Sequence, residues 1–354
     1  MKMPLVISTD IGTDVDDAIA VYLASRDPGI DLKAVWVTNG DTDIRAGIAS
    51  KLLRLCGSNA GVLKGEPNPL EPGLQPYTHG YEKDFLDSGC VNNFEGEGIA
   101  PVREILDENE GVVIASIAPM TNMARLLRDY PESQNKLKRV YIMGFRIGNN
   151  EHNAGHDPRA AREVLDSDLR LTIVPGELCD RYKMEASDLI YMAPETDALL
   201  FIGEMAHGWL LYNNIRALAN IPKRLDSIPM LTVKSLAARP IIDALREKAG
   251  KYKNLKELDE FNFHLNALLT GYPEFSHVKE DVEKARIKTI AVHDAYTIFC
   301  MLHPEHTERV YATVTLDKNG VTHVGNGGRH EYIIGLDYGK FQDFLYSGLG
   351  IKPE

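Results

Sequence analysis

Val6-Ile7-Ser8-Thr9-Asp10-Ile11-Gly12-Thr13-Asp14-Val15-Asp16-Asp17, followed at once by Ala18-Ile19-Ala20-Val21-Tyr22-Leu23-Ala24, is the stretch on which the reading of this chain turns. The apolar run Leu5 to Ile7 reads as a buried strand and the run after Asp17 as a helix. The acids therefore sit in a strand-to-helix turn, the place where open α/β sheets bind ligands. Asp is a preferred N-cap, and acids gain from the dipole of a first helical turn, so capping accounts for one or two of them. The full set of Asp10, Asp14, Asp16 and Asp17 is harder to explain that way, because converging carboxylates repel one another and resist burial. A hard divalent cation is the expected counter-charge.

Outward from this turn the pattern repeats. Strand-like runs at Leu5 to Ser8, Leu32 to Thr38, Val112 to Ile117, Val140 to Met143 and Leu171 to Val174 alternate with helix-like runs at Asp16 to Arg26, Ile44 to Leu55, Val102 to Leu106, Asn122 to Arg128 and Pro158 to Leu165. Such alternation predicts an α/β fold, a mostly parallel sheet with helices on both faces. After about residue 180 the pattern turns helical, with Asp197 to Leu218 followed by a polar, lysine-rich stretch to Lys256. Arg309 to Leu316, the turn Asp317-Lys318-Asn319-Gly320 and Val321 to Val324 predict a C-terminal hairpin. With no repeat or flexible linker in its 354 residues, the chain reads as a single domain over 1–354.

Composition narrows the function classes. The chain is 44% apolar and 25% charged, ordinary for a globular protein, and its net charge of -12 argues against a nucleic-acid partner. Met1-Lys2-Met3-Pro4 leads straight into the first strand without a signal-peptide pattern, and no membrane-spanning run occurs, so a cytoplasmic location without membrane contact is expected. Cys56, Cys90, Cys179 and Cys300 are scattered and form no CxxC pair, so neither zinc nor disulfides are indicated; Cys56 and Cys300, within apolar runs, read as buried thiols.

Other turns add polar groups. In Thr38-Asn39-Gly40-Asp41, Asp41 alone reads as a turn residue. In Ala118-Pro119-Met120-Thr121-Asn122, Thr121 reads as a helix cap. Glu151-His152-Asn153-Ala154-Gly155-His156-Asp157-Pro158 is loop-like and dense in groups able to line a pocket. Late in the chain, Ile290-Ala291-Val292-His293-Asp294-Ala295-Tyr296 sets a His-Asp pair at a helix entrance. Taken singly, His293 reads as a structural histidine and Asp294 as an N-cap; together they supply a second candidate metal-binding carboxylate beside a titratable ring.

Taken in order, Asp10-Ile11-Gly12-Thr13-Asp14-Val15-Asp16-Asp17-Ala18, Ala118-Pro119-Met120-Thr121-Asn122, Met143-Gly144, Glu151-His152-Asn153 with Asp157-Pro158, and Val292-His293-Asp294 resemble the inosine/uridine-preferring nucleoside hydrolases from residue 5 to about 325. The resemblance implies a calcium-dependent N-ribohydrolase on a Rossmann-like core, forming a homodimer or homotetramer. Calcium ligands by this likeness are Asp10, Asp17, the main-chain carbonyl of Ile117 and Asp294, an all-oxygen set suited to a hard ion. Asp10 is implied as the base that takes a proton from a metal-bound water, and His293 as the group that protonates or hydrogen-bonds the leaving base. The sugar-holding positions map onto Asp16, Asp41, Met143, Glu151 and Asn153; His79 matches a base-side histidine, and His152 stands at the pocket where an aromatic residue is usual.

The chain departs from the family pattern in several places. Ser8 and Ile11 replace an Asp and a Pro, the turn is longer by two residues around Asp14, Asp41 stands where Asn is common, and Phe145 replaces a second Gly. Asp14 is left without a role, and base preference is left open. The segment Phe261 to Lys288, with His264, Tyr272, Phe275 and His277, reads equally as a lid or as an exposed helical insertion. An aspartyl-phosphate hydrolase also begins with an acidic turn after the first strand, but would want Asp-x-Asp at the strand end where Ile11-Gly12 follow Asp10. The other alternative is a non-catalytic, calcium-stabilised binding protein of the same fold.

Overall fold

The computed structural model describes residues 2–87, 96–190, 195–217, 255–271, 280 and 287–351. β1 (Met3–Thr9) lies in the middle of a ten-stranded sheet, paired in parallel with β2 (Ile30–Val37) on one side and β5 (Val113–Ser116) on the other. Beyond β2 come β3 (Gly61–Lys64) and the two-residue β4 (Gly96–Glu97); beyond β5 come β6 (Arg139–Met143) and β7 (Leu171–Val174), all parallel. The chain builds outward from β1 in one direction and then in the other, so the strand order reverses between β1 and β5. The crevice at the carboxyl ends there is the binding position such sheets offer.

Helices cover both faces, as the alternation predicts. α1 (Asp16–Arg26), α2 (Thr42–Leu55), α10 (Asp197–Ala217), α12 (His293–Leu302) and α13 (Tyr338–Leu349) pack on one face over Leu5, Ile7, Val35 and Ala115. α3 (Ala100–Glu108), α4 (Thr121–Asp129) and α7 (Pro158–Asp166) cover the other over Val6, Ala34, Trp36 and Ile114. The central strands are apolar on both faces because both are buried, which is why they read as continuous runs. Short helices α5 (Ser133–Lys136), α6 (His152–His156), α8 (Gly176–Cys179) and α9 (Ala186–Ile190) fill the loops, and α11 (Leu255–Gly271) packs on α10.

The five strands read from sequence are all present within two residues of their expected ends. The C-terminal hairpin, β10 (Thr307–Leu316) with β11 (Thr322–Asn326), is antiparallel as expected. It is joined to the main sheet by β12 (His330–Leu336), which pairs antiparallel with β10 and parallel with β7. A separate pair, β8 (Met184–Glu185) with β9 (Thr289–Ile290), carries the approach to α12. Cys300 is buried as expected, whereas Cys56, at the exposed end of α2, is only half-buried. Of the segment Phe261 to Lys288, α11 is seen as far as Gly271; Tyr272, Phe275 and His277 lie outside the described residues, as does the lysine-rich stretch up to residue 254. No helix among the described residues is long and apolar enough to cross a membrane.

Candidate active site

The acidic turn is shaped from below by backbone geometry and by one arginine. Gly12 sits at φ +115, and a Cβ there would lie 2.6 Å from Ile48 Cδ1, so both conformation and space require glycine. Arg45, buried on α2, donates to the carbonyls of Asp10 and Asn39, to the Ile11 carbonyl at 3.0 Å and to Thr13 Oγ1 at 3.0 Å. Its fork holds the backbone of the turn from which the carboxylates project. None of them is an N-cap residue: the N-cap of α1 is Val15, with no side-chain cap bond, and that of α12 is Val292, while the Asp16 carboxylate accepts from the main-chain N–H of His293 at the start of α12. The capping readings of the turn and of Asp294 are therefore set aside.

Asp10, Asp16, Asp17 and Asp294 are exposed by only 4 to 8%. Carboxylate oxygens of Asp16, Asp17 and Asp294 lie within 4.8 Å of one another. Burial, and then the neighbouring Asp14, pushes the Asp16 carboxyl up to about 8. Burial and the adjoining acids likewise raise Asp17 and Asp294 far above the usual carboxylate range. Three buried like charges at this spacing are tolerable only with protons or a cation between them. Asp17 accepts from Thr9 Oγ1, and Asp10 Oδ2 accepts from Asn39 Nδ2 at 2.9 Å.

These acids open into a cavity of about 230 Å³ lined also by Asp14, Ile117, Met143, Glu151, His152, Asn153, Trp209 and His293. No lysine or arginine lines it among the described residues. Asn153 Nδ2 donates to the carbonyls of Ile117 at 3.2 Å and Met143 at 3.1 Å, binding together the ends of β5 and β6. Glu151 caps α6: its carboxylate accepts from the amides of Phe145, Asn153 and Ala154, each at 3.0 Å. Phe145 is buried at φ +69, the left-handed region that the glycine usual at this place would adopt without strain. His293 Nε2 is 3.4 Å from Asp180 Oδ1, and burial pushes its pKa down to about 4.

Ten of the twelve residues expected at the site line this one cavity: Asp10, Asp16, Asp17, Ile117, Met143, Glu151, His152, Asn153, His293 and Asp294. Asp41 and His79 do not. Asp41 is exposed and caps α2, accepting from the amides of Asp43 and Ile44 at 3.1 Å; an acid immediately before the first residue of α2 is in place to cap, not to face the cavity. Asn39, two residues past the end of β2, takes the position beside Asp10 that the sequence pattern does not single out. The sign of it was an Asn-Gly pair at a strand end, since Asn tolerates the left-handed φ of +64 found there. His79 is buried outside the lining, stacked on Tyr212 with centroids 4.0 Å apart.

Thr121 does not cap α4 as its sequence suggests. Its hydroxyl donates to Asp157 Oδ2 at 2.7 Å, while Asn122 donates to Ser8 Oγ at 3.2 Å and accepts from the Glu66 amide at 2.9 Å. The Pro-x-Thr-Asn segment thus locks the strand ends around the crevice.

The family model for inosine-uridine preferring nucleoside hydrolase matches residues 5–343 of the chain. The chain belongs to that family. It is accordingly a nucleoside hydrolase, an enzyme class that depends on a metal in general, and the buried acidic trio is the site able to hold one. Among curated relatives, the non-specific ribonucleoside hydrolase RihC of Klebsiella pneumoniae is 25% identical over 231 residues, 61% of this chain and 73% of that protein. RihC of Salmonella newport is 28% identical over 230 residues, covering 61% and 72%. A solved plant nucleoside hydrolase, PpNRh1, shares the nucleoside hydrolase fold over the whole of both chains with a TM-score of 0.69 at 16% identity.

Proposed function

We propose that this nucleoside hydrolase cleaves the N-glycosidic bond of a ribonucleoside to free base and ribose, with calcium as its cofactor. The observation that carries the reading is the mutual proximity of the Asp16, Asp17 and Asp294 carboxylates, buried in a cavity that Asp10 and Ile117 also line. This donor set is all oxygen and strongly anionic, which fits calcium better than a softer metal. Asp10, Asp17, Ile117 and Asp294 would hold the ion. Bound there, calcium supplies a hard Lewis acid that polarises water and sugar hydroxyl oxygens.

The chain's own residues do the rest. Asn39 fixes one oxygen of Asp10, leaving the other to accept the proton of the attacking water. Asp16, Glu151 and Asn153 supply acceptors for sugar hydroxyls, and Met143 and His152 wall the same space. Contacts of this kind strengthen as the sugar ring gains oxocarbenium character. His293, neutral in its buried setting, hydrogen-bonds the departing base. The reading includes a homodimer or homotetramer in the cytoplasm.

The test is a panel of nucleosides incubated with the purified, calcium-loaded protein, scored for free ribose. Release from at least one member is expected, and Asp10→Asn should lower it by about 10²–10⁴-fold with an unchanged circular dichroism spectrum. Wild-type turnover by that variant removes Asp10 from its role; no release from any nucleoside favours a binding protein.

A further inference from the structure

The acidic turn holds one carboxylate that this reading does not use. Asp14 lines the cavity next to Trp209, whose indole Nε1 donates to Asp14 Oδ1 at 2.5 Å. Asp14 is not among the acids grouped closely enough to share a cation among the described residues. Burial, with Asp10 adding to it, makes this a costly position for a further negative charge, a cost that His79 and the Trp209 N–H offset in part. An anionic acceptor nevertheless grips an N–H more firmly than a neutral one, and Trp209 is what it grips.

One helical turn later, Tyr212 of α10 is tied to the acidic turn through Tyr81. Tyr212 stacks on His79, Tyr81 leans against Tyr212 with centroids 5.4 Å apart, and the Tyr81 hydroxyl donates to the Thr13 carbonyl at 3.0 Å. One direct contact at Asp14 and one relayed through Tyr81 to Thr13 thus hold the face of α10 that carries Trp209. Apart from His152 and His293, Trp209 is the only ring among the described lining residues and the only one with a large π surface. The rest of the lining is suited to ribose: carboxylates, an amide and main-chain carbonyls.

We propose that Asp14 is a positioning residue that holds the Trp209 indole as the stacking wall for the nucleoside base, and that this wall favours bicyclic over monocyclic bases. The proposal rests on the ribonucleoside reading given above. A bicyclic base covers more of an indole than a pyrimidine does, so its binding depends more on the ring being held in place.

The experiment uses the calcium-loaded enzyme with inosine and uridine as probes, and intrinsic fluorescence as a readout independent of turnover. The chain has two tryptophans, and Trp36 is fully buried, so the spectrum of wild type minus Trp209→Phe isolates Trp209. Trp209→Ala and Asp14→Leu should each raise KM for inosine roughly tenfold, with a smaller change in kcat and a smaller loss for uridine. The double variant should be no worse than either single one. Asp14→Asn, which keeps an acceptor oxygen, should recover most of the loss, and Asp14→Leu should shift the Trp209 emission.

Additive losses, equal losses for the two nucleosides, or an unshifted emission would each overturn the proposal. So would a fall in calcium affinity in Asp14→Asn as large as that in Asp17→Asn, which would make Asp14 a metal ligand. If the wild type hydrolyses no nucleoside, the ribonucleoside reading fails, and the emission of Asp14→Leu alone then decides whether Asp14 holds the ring.

Discussion

Asp157 sits in a run that looks catalytic, yet its surroundings predict a structural part, and the two are separable by experiment. The side chain is fully buried and accepts from the Leu70 amide at 2.7 Å, the Glu71 amide at 3.1 Å, Thr121 Oγ1 at 2.7 Å and the Ala160 amide at 3.1 Å. Asp157→Ala strands two loop amides and a hydroxyl, each costing about 1 kcal/mol or more when left unpaired in the interior, and removes an N-cap worth about 1 kcal/mol. The sum is about 4 kcal/mol. An unfolding entropy of about 2.1 cal/mol/K per residue gives about 0.7 kcal/mol/K for a chain of 354 residues, so Tm should fall by about 5 °C. The assay is thermal unfolding of the calcium-loaded protein, with kcat/KM measured well below the transition, where less than a tenfold loss is expected. An unchanged Tm with activity lost by several orders of magnitude would refute the reasoning, because it would place Asp157 in the chemistry.

Three further outcomes follow from the site. Gly65→Ala would bring a Cβ to 2.1 Å from Asn122 Oδ1, so it should cost about 1–3 kcal/mol through loss of the Asn122 bridge, read as a lower Tm. Asn39→Ala frees one oxygen of Asp10 and should lower kcat more than it raises KM, as steady-state kinetics will show. The third concerns pH: the Asp16, Asp17 and Asp294 pKa values are raised in the metal-free fold, so that form binds more protons than the unfolded chain between about pH 4 and pH 8 and loses stability as pH rises through that window. Calcium bound at this site would displace those protons, so the Tm gap between loaded and chelated protein should widen from pH 5 to pH 8, and calcium added after chelation should restore activity.

The central sheet was legible because its strands are buried on both faces and its helices start where the apolar period changes. What escaped were elements whose formation depends on partners: β3 is four residues long, and β12 owes its place to β7 and β10 on either side of it. At the site, the identity of the acids was plain, but not their division of labour. Sequence cannot show that Asn39 points inward while Asp41 caps α2, since both are polar residues beside the same glycine. Trp209 was invisible for another reason: it comes from a long apolar helix, and only the fold brings its indole against Asp14.

The acidic trio able to hold a cation draws Asp16 and Asp17 from the start of the chain and Asp294 from near its end. During synthesis at about 5–20 residues per second, the acids of the first turn therefore emerge on the order of ten seconds to a minute before the residue that completes their ion site. Over that interval their mutual repulsion has no full set of ligands to relieve it. Ion uptake becomes possible only once β9 and α12 have been made, so loading marks the passage from nascent chain to finished enzyme.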